Sequence, residues 1–173
     1  MAQTTEVWLR GPLPGIPALL QPVAHALVQA REEVHGICEG VTESVLWVRP
    51  HDLASIGFHL QHLRGVLDRL ATYARNEPLT DAQLTALRAE GADPAGTLTV
   101  AALLASFDAQ VDAMLLQLQH TPESSLLDFR GVGRAGLPSN VLGLLVHAAE
   151  HTMRHVGQLL VTARVLRSAM PVA

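Results

Sequence analysis

Three of the nine histidines, His147, His151 and His155, recur every fourth residue in the stretch Ser139–Arg167, SNVLGLLVHAAEHTMRHVGQLLVTARVLR. This is the longest segment without proline, and it reads as an α-helix on which residues four apart share one stripe. Imidazoles on adjacent turns can hold one cation between them. His147 and His155 are separated by about 12 Å of axial rise, too far for both to reach one ion through bonds of about 2.0–2.1 Å. The pair is therefore His147/His151 or His151/His155. On a helical wheel Leu144, Ala148, Leu159, Thr162 and Leu166 mark the buried face. His155 sits near its middle, His151 beside it and His147 at its edge, so the wheel favours His151/His155, with a third ligand from another helix. A lone histidine on an apolar face is most often a hydrogen-bonded core residue. A second pair elsewhere, His59 and His62, shifts the balance towards metal.

The elements that must position these rings are legible from prolines and apolar spacing. Pro12, Pro14, Pro17 and Pro22 crowd the start, so residues 1–16 are expected to form an extended arm or turn, with Trp8 packed on the body. A first helix follows from Ile16 or Pro22 to Ile37, with Leu20, Ala24, Leu27, Val34 and Ile37 as its stripe. The apolar run Val45-Leu46-Trp47-Val48, ended by Pro50, is expected to cover one end of the core.

The second helix is expected from Asp52 to Arg75, capped by Asp52 or Ser55. His59 and His62 both border its apolar face, and the wheel places His59 deeper. A long connection from Asn76 to Thr99 holds one short helix, marked by a capping box at Thr80 and Gln83 and by Gly91 after its end. The third helix is expected from Thr99 to Gln119, with Val100, Leu103, Leu104, Phe107, Val111, Met114 and Leu118 facing inward. Asp108 and Asp112 lie four apart on it and are read as a solvated face. Residues 121–138 read as a flexible loop. Their GVGRAG follows no strand and lacks the spacing of a phosphate-binding loop. Ser139 is expected to cap the fourth helix. The result is an all-α, four-helix bundle, with a connection between helices two and three long enough to cross it.

Composition bounds the function. At 173 residues the chain suits one domain, residues 1–173, and 49% hydrophobic content can bury a sizeable core. Aromatic residues make up only 3%, while Leu and Ala abound, which favours helix. A net charge of −4 with scattered arginines argues against a general nucleic-acid surface. Cys38 is the only cysteine, so no intramolecular disulfide forms, which fits a reducing cytoplasm. Neither a secretory h-region nor an uninterrupted apolar run of membrane-spanning length is evident, so a cytoplasmic protein without a membrane partner is expected.

Two segments, Ser55-Ile56-Gly57-Phe58-His59-Leu60-Gln61-His62-Leu63 and His151-Thr152-Met153-Arg154-His155-Val156-Gly157-Gln158-Leu159, resemble the DinB-like metal-binding superfamily, which includes bacterial thiol S-transferases. In that family one ligand histidine on helix two precedes an aliphatic residue. Two more come from a His-x-x-x-His on helix four, followed by x-Gly-Gln. The resemblance implies His62, His151 and His155 as metal ligands and leaves His59 in a supporting or core role. It also implies an up-down-down-up helix order and a homodimer. Where many members read HHRGQ, this chain has Arg154 before His155 and Val156 after it.

Three neutral imidazoles leave an ion at least one open position, the arrangement of catalytic rather than structural sites. The resemblance implies a divalent transition metal, zinc or nickel first and iron next, since imidazole suits all three. It further implies a transferase that activates a low-molecular-weight thiol for attack on an electrophile. With no well-placed cysteine in the chain, that thiol would be a second substrate. A hydrolase activating water is the alternative, although no general base is evident, Glu150 being turned about 100° from His151. A non-enzymatic metal-binding stress protein is the third.

Overall fold

The computed structural model describes residues 5–169, so the first four residues of the expected arm lie outside it. Of the two forms expected for the arm, its described part takes the turn. Val7–Leu9 and Ala18–Leu20 form 3-10 turns. Val7, not Trp8, is the anchor: its side chain is buried, while Trp8 is 61% exposed and its indole N–H donates to Glu6 Oε2 at 2.6 Å.

Helix α1 runs from Gln21 to Cys38, with Pro22 in its first turn, where a missing amide costs nothing. The short α2, Glu43–Leu46, ends at Trp47. Helix α3 runs from Ile56 to Ala74, beginning later than the sequence suggests. His51 and Asp52 adopt φ of 48° and 60°, left-handed values that a helix of L-residues cannot propagate. Ser55 is the cap, its side chain accepting from the Phe58 amide at 3.1 Å. Helix α4, Asp81–Ala89, carries the expected capping box between Thr80 and Gln83. Helix α5 runs from Val100 to Gln119, capped by Thr99. Helix α6 runs from Val141 to Ala169. Asn140, rather than Ser139, caps it, through Oδ1 and the Gly143 amide at 2.7 Å.

The span expected to be a flexible loop is ordered. Strands β1, Phe129–Val132, and β2, Leu137–Asn140, pair antiparallel with Phe129 opposite Asn140 and Val132 opposite Leu137. Gly133 and Gly136 supply the positive φ the turn requires, at 67° and 59°. The Arg130 Nε–H donates to the Ala74 carbonyl at 2.8 Å, tying the hairpin to the end of α3. Four-residue strands with little alternation leave no periodic signal, which explains why the sequence reads as loop.

Helices α1 and α3 each pack against both α5 and α6 around an apolar core that includes Leu27, Val34, Leu63, Leu67, Phe107, Met114, Leu145 and Leu159. Among the described helices α5 alone is long and apolar enough, by length and composition, to cross a membrane. Here its stripe of Leu103, Phe107, Val111, Met114 and Leu118 is buried, and its two carboxylates face α1. Arg31 Nη1 lies 2.6 Å from Asp112 and His35 Nε2 lies 2.9 Å from Asp108, so neither aspartate belongs to the histidine cluster.

Trp47 seals α3 through Gly57. A Cβ on Gly57 would stand 2.4–2.7 Å from three atoms of the indole ring. A Cβ on Gly157, in the middle of α6, would meet nothing within 4 Å. The same substitution should therefore act with opposite sign at the two sites. Gly157→Ala is expected to stabilise by about 1 kcal/mol through helix propensity. At Gly57 that gain is outweighed by overpacking against a rigid ring, about 1–3 kcal/mol in packed cores. Urea unfolding of the two variants would check this, and a stabilised Gly57→Ala would show that the indole moves aside freely.

Candidate metal centre

His62 projects from the middle of α3 towards His151 and His155 on consecutive turns of α6. The Nε2 atoms of His62 and His151 are 3.0 Å apart. Ring centroids are 4.3 Å apart for His62 and His155, and 4.6 Å for His151 and His155. One nitrogen from each of the three rings lies within 4.8 Å of the others. Two nitrogens bound tetrahedrally to one ion at 2.0–2.1 Å would be about 3.3 Å apart, so the His62–His151 separation needs little adjustment to admit an ion. The structure thus brings together His62, His151 and His155, and it does not bring His147 into this group. His59 is buried more deeply than His62, as the wheel suggests, but it approaches the group only from behind. Its Nδ1 lies 3.3 Å from Nδ1 of His155.

His59, His151 and His155 are biased towards the neutral form that binds metal. Burial, followed by the neighbouring His62, pushes His59 down to about 4. Burial, then the charges of His62, His151 and His59, pushes His155 down to about 4 as well. His151 is lowered too, first by burial and then by His62.

Glu90 is the residue the sequence reasoning missed. Its Oε2 lies 2.6 Å from Nδ1 of His62 and its Oε1 accepts from Arg69 Nη1 at 2.7 Å. Burial raises its carboxyl, but hydrogen bonds from His62 and Arg69 outweigh that and hold it below the ordinary range. Helix α4 delivers it. Gln83 Nε2 donates to Asp68 and Thr72 of α3, at 3.0 and 2.8 Å, docking α4 on α3. Gln61 then grips the chain just past Glu90, accepting from the Gly91 amide at 2.7 Å and donating to the Ala92 carbonyl at 3.1 Å. Gly91 makes the turn at φ 87°, a left-handed value that strains any L side chain, and a Cβ there would also stand 3.3 Å from the Phe58 ring. Phe58 in turn stacks on the His62 ring, 5.3 Å between centroids and 11° from parallel.

Two of the rings have a partner that places their proton on Nδ1. A proton on Nδ1 of His62, donated to Glu90, leaves Nε2 free to face inward. His59 plays the same part for His155 at its Nδ1. Nδ1 of His151 is fully buried and has no hydrogen-bond partner. Carboxylate and imidazole partners of this kind orient ligand histidines. The donor set fits a borderline divalent cation.

The fold and the cluster define a mostly helical protein with three converging imidazoles that can hold a metal ion. A model of the DinB superfamily matches residues 26–159, and the chain belongs to that superfamily. Among solved structures, a conserved protein from Enterococcus faecalis superposes with a TM-score of 0.67 at 20% identity, covering 86% of this chain and 97% of its own. A protein from Streptococcus pneumoniae superposes with a TM-score of 0.62 at 11% identity, covering 86% and 90%. At these identities the likeness is one of fold. A search of curated proteins finds no match.

Proposed function

We propose that His62, His151 and His155 hold a divalent transition metal, zinc or nickel, and that the protein is a metal-dependent transferase joining a low-molecular-weight thiol to an electrophile. The observation that supports this most is the convergence of three imidazole nitrogens, one from each of His62, His151 and His155, within 4.8 Å of one another. A bound ion would supply Lewis acidity and lower the pKa of a thiol placed beside it. The chain's own thiol is unsuited to the role. Cys38 is buried in the core and burial pushes it up to about 11. The nucleophile must then arrive as a substrate.

The hydrolase reading finds less support, because the nearby carboxylates are engaged. Glu90 is shared by His62 and Arg69, and Glu150 pairs with Arg154. A cavity of about 600 Å³ lies beside His59, behind the cluster, lined by Arg154, Gln158, Thr162 and Asp52 to Ala54, and has room for a small electrophile. In this reading the four long helices run up-down-down-up, with the connection that carries α4 making the crossover.

The test is to purify the protein without a histidine tag, load it with zinc or nickel, and incubate it with an electrophile in the presence and absence of a bacterial thiol. Metal-dependent thiol consumption is expected. Product formed without thiol would replace the transferase by the hydrolase, and no product at all would leave a binding role. Glu90 supplies a second check. Glu90→Ala removes the partner of Nδ1 on His62 and is expected to weaken metal binding about 10- to 100-fold. Glu90→Gln, whose amide oxygen still accepts, should recover part of the loss. Unchanged affinity in Glu90→Ala would mean that the carboxylate does not orient the ring.

A further inference from the structure

His147 is left over by the inner cluster, and so is Glu150. Together with His151 they form a second grouping whose ligand atoms all lie within 4.8 Å of one another. The spacing is i, i+3, i+4 on α6, which puts two imidazoles on adjacent turns with a carboxylate between them. The ring centroids of His147 and His151 are 5.3 Å apart, and Nδ1 of His147 is 3.4 Å from Oε2 of Glu150. Both outer side chains are about half exposed, at 51% and 47%. We propose that His147, Glu150 and His151 form a second, outer site for a borderline divalent metal, sharing His151 with the inner group.

The chemistry of the donor set supports the site. Two imidazoles and a carboxylate suit copper, nickel or zinc. Glu150 splits its two oxygens: Oε1 pairs with Arg154, while Oε2 faces His147. The same arginine brings a positive charge close to the ion, so the outer site binds more weakly than the inner one. Because His151 serves both groups, each ion draws on the same ring. The inner ligands are partly buried and the outer ones open to solvent, so an ion arriving from solution meets the outer site first. This proposal does not depend on the inner cluster being catalytic.

The test uses the full chain without a tag and copper(II) as probe, since copper stands highest in divalent affinity for such ligands. His62→Ala/His155→Ala isolates the outer site and is expected to bind one equivalent, with nitrogen hyperfine structure in its electron paramagnetic resonance spectrum. Adding His147→Ala should weaken that binding at least tenfold, and adding Glu150→Gln should weaken it several-fold. Should the alanine pair fail to fold, His62→Gln/His155→Gln serves in its place. An inner-disabled protein that binds no copper, or binds it equally with and without His147, overturns the outer site. Failure of the inner site shows separately, as wild type holding no more metal than the inner-disabled variant.

Discussion

The His62→Ala/His155→Ala protein, purified without a tag and dialysed, is expected to retain less than about a tenth of the metal held by wild type. Losing a hydrogen bond to a ligand already costs about 10- to 100-fold in affinity, and this variant loses two of three ligands outright. His151 alone keeps its place, with one nitrogen to offer the inner position. The fold should tolerate the change. Glu90 keeps its 2.7 Å ion pair with Arg69, so no buried charge is stranded. The exposed group around His147 can still take up metal but should release it on dialysis. Elemental analysis reads the result directly. Melting gives an independent view, because an ion that binds only the folded chain stabilises it by about 2.7 kcal/mol at a hundredfold excess over its dissociation constant. Wild type should show that rise and the variant should not. Equal metal in the two proteins would remove every reading built on the inner cluster.

Acid should weaken the metal-free protein well before its carboxylates protonate. His59 is almost wholly buried and its pKa is pushed down to about 4 by burial and by His62, against about 6.5 in an unfolded chain. Between those values the unfolded state binds a proton that the folded state refuses. Stability therefore falls as the pH drops from about 6.5 towards about 4, and it is fully present above that window. The difference corresponds to roughly 3 kcal/mol for His59. His155 shifts in the same direction, but it is more exposed and shares its cause with the rest of the cluster, so it adds less. Glu90, whose pKa is lowered, keeps its contribution through this window and loses it only as the pH falls below the ordinary carboxylate range. Urea unfolding between pH 7 and 5 thus isolates the histidines. Wild type should lose stability steadily across that interval and His59→Gln should lose less. A flat profile would mean that His59 takes up a proton in the folded protein as readily as in water.

Much of the scaffold was legible because local rules act over a few residues. The apolar stripes of α1, α3 and α5 recur at helical spacing, and Thr80 with Gln83 and Thr99 mark starts that the structure keeps. The start of α3 was misplaced because the competition between Asp52 and Ser55 is settled by left-handed backbone at His51 and Asp52, which no residue there announces. Val7 takes the inward place expected of Trp8 because the hydrophobicity of an arm does not say which of two neighbouring side chains turns inward. The hairpin went unseen because its strands are short and are held by tertiary bonds such as that from Arg130 to Ala74.

The histidine cluster divides along the same line. The four-residue spacing of His147, His151 and His155 is a property of one helix, so their shared stripe could be read without coordinates. The wheel preferred His59 to His62 by burial, and only resemblance to a family pointed to His62. Glu90 carried no signal at all: an acidic residue after a short helix is ordinarily solvated, and its partner His62 lies 28 residues away. The order of residues along the chain was enough to specify the helices, their inner faces and which rings share a turn, because those depend on backbone geometry alone. Which rings meet across helices, which carboxylate holds one of them, and which nitrogen is left without a partner depend on how α3, α4 and α6 pack, and only the folded molecule decided them.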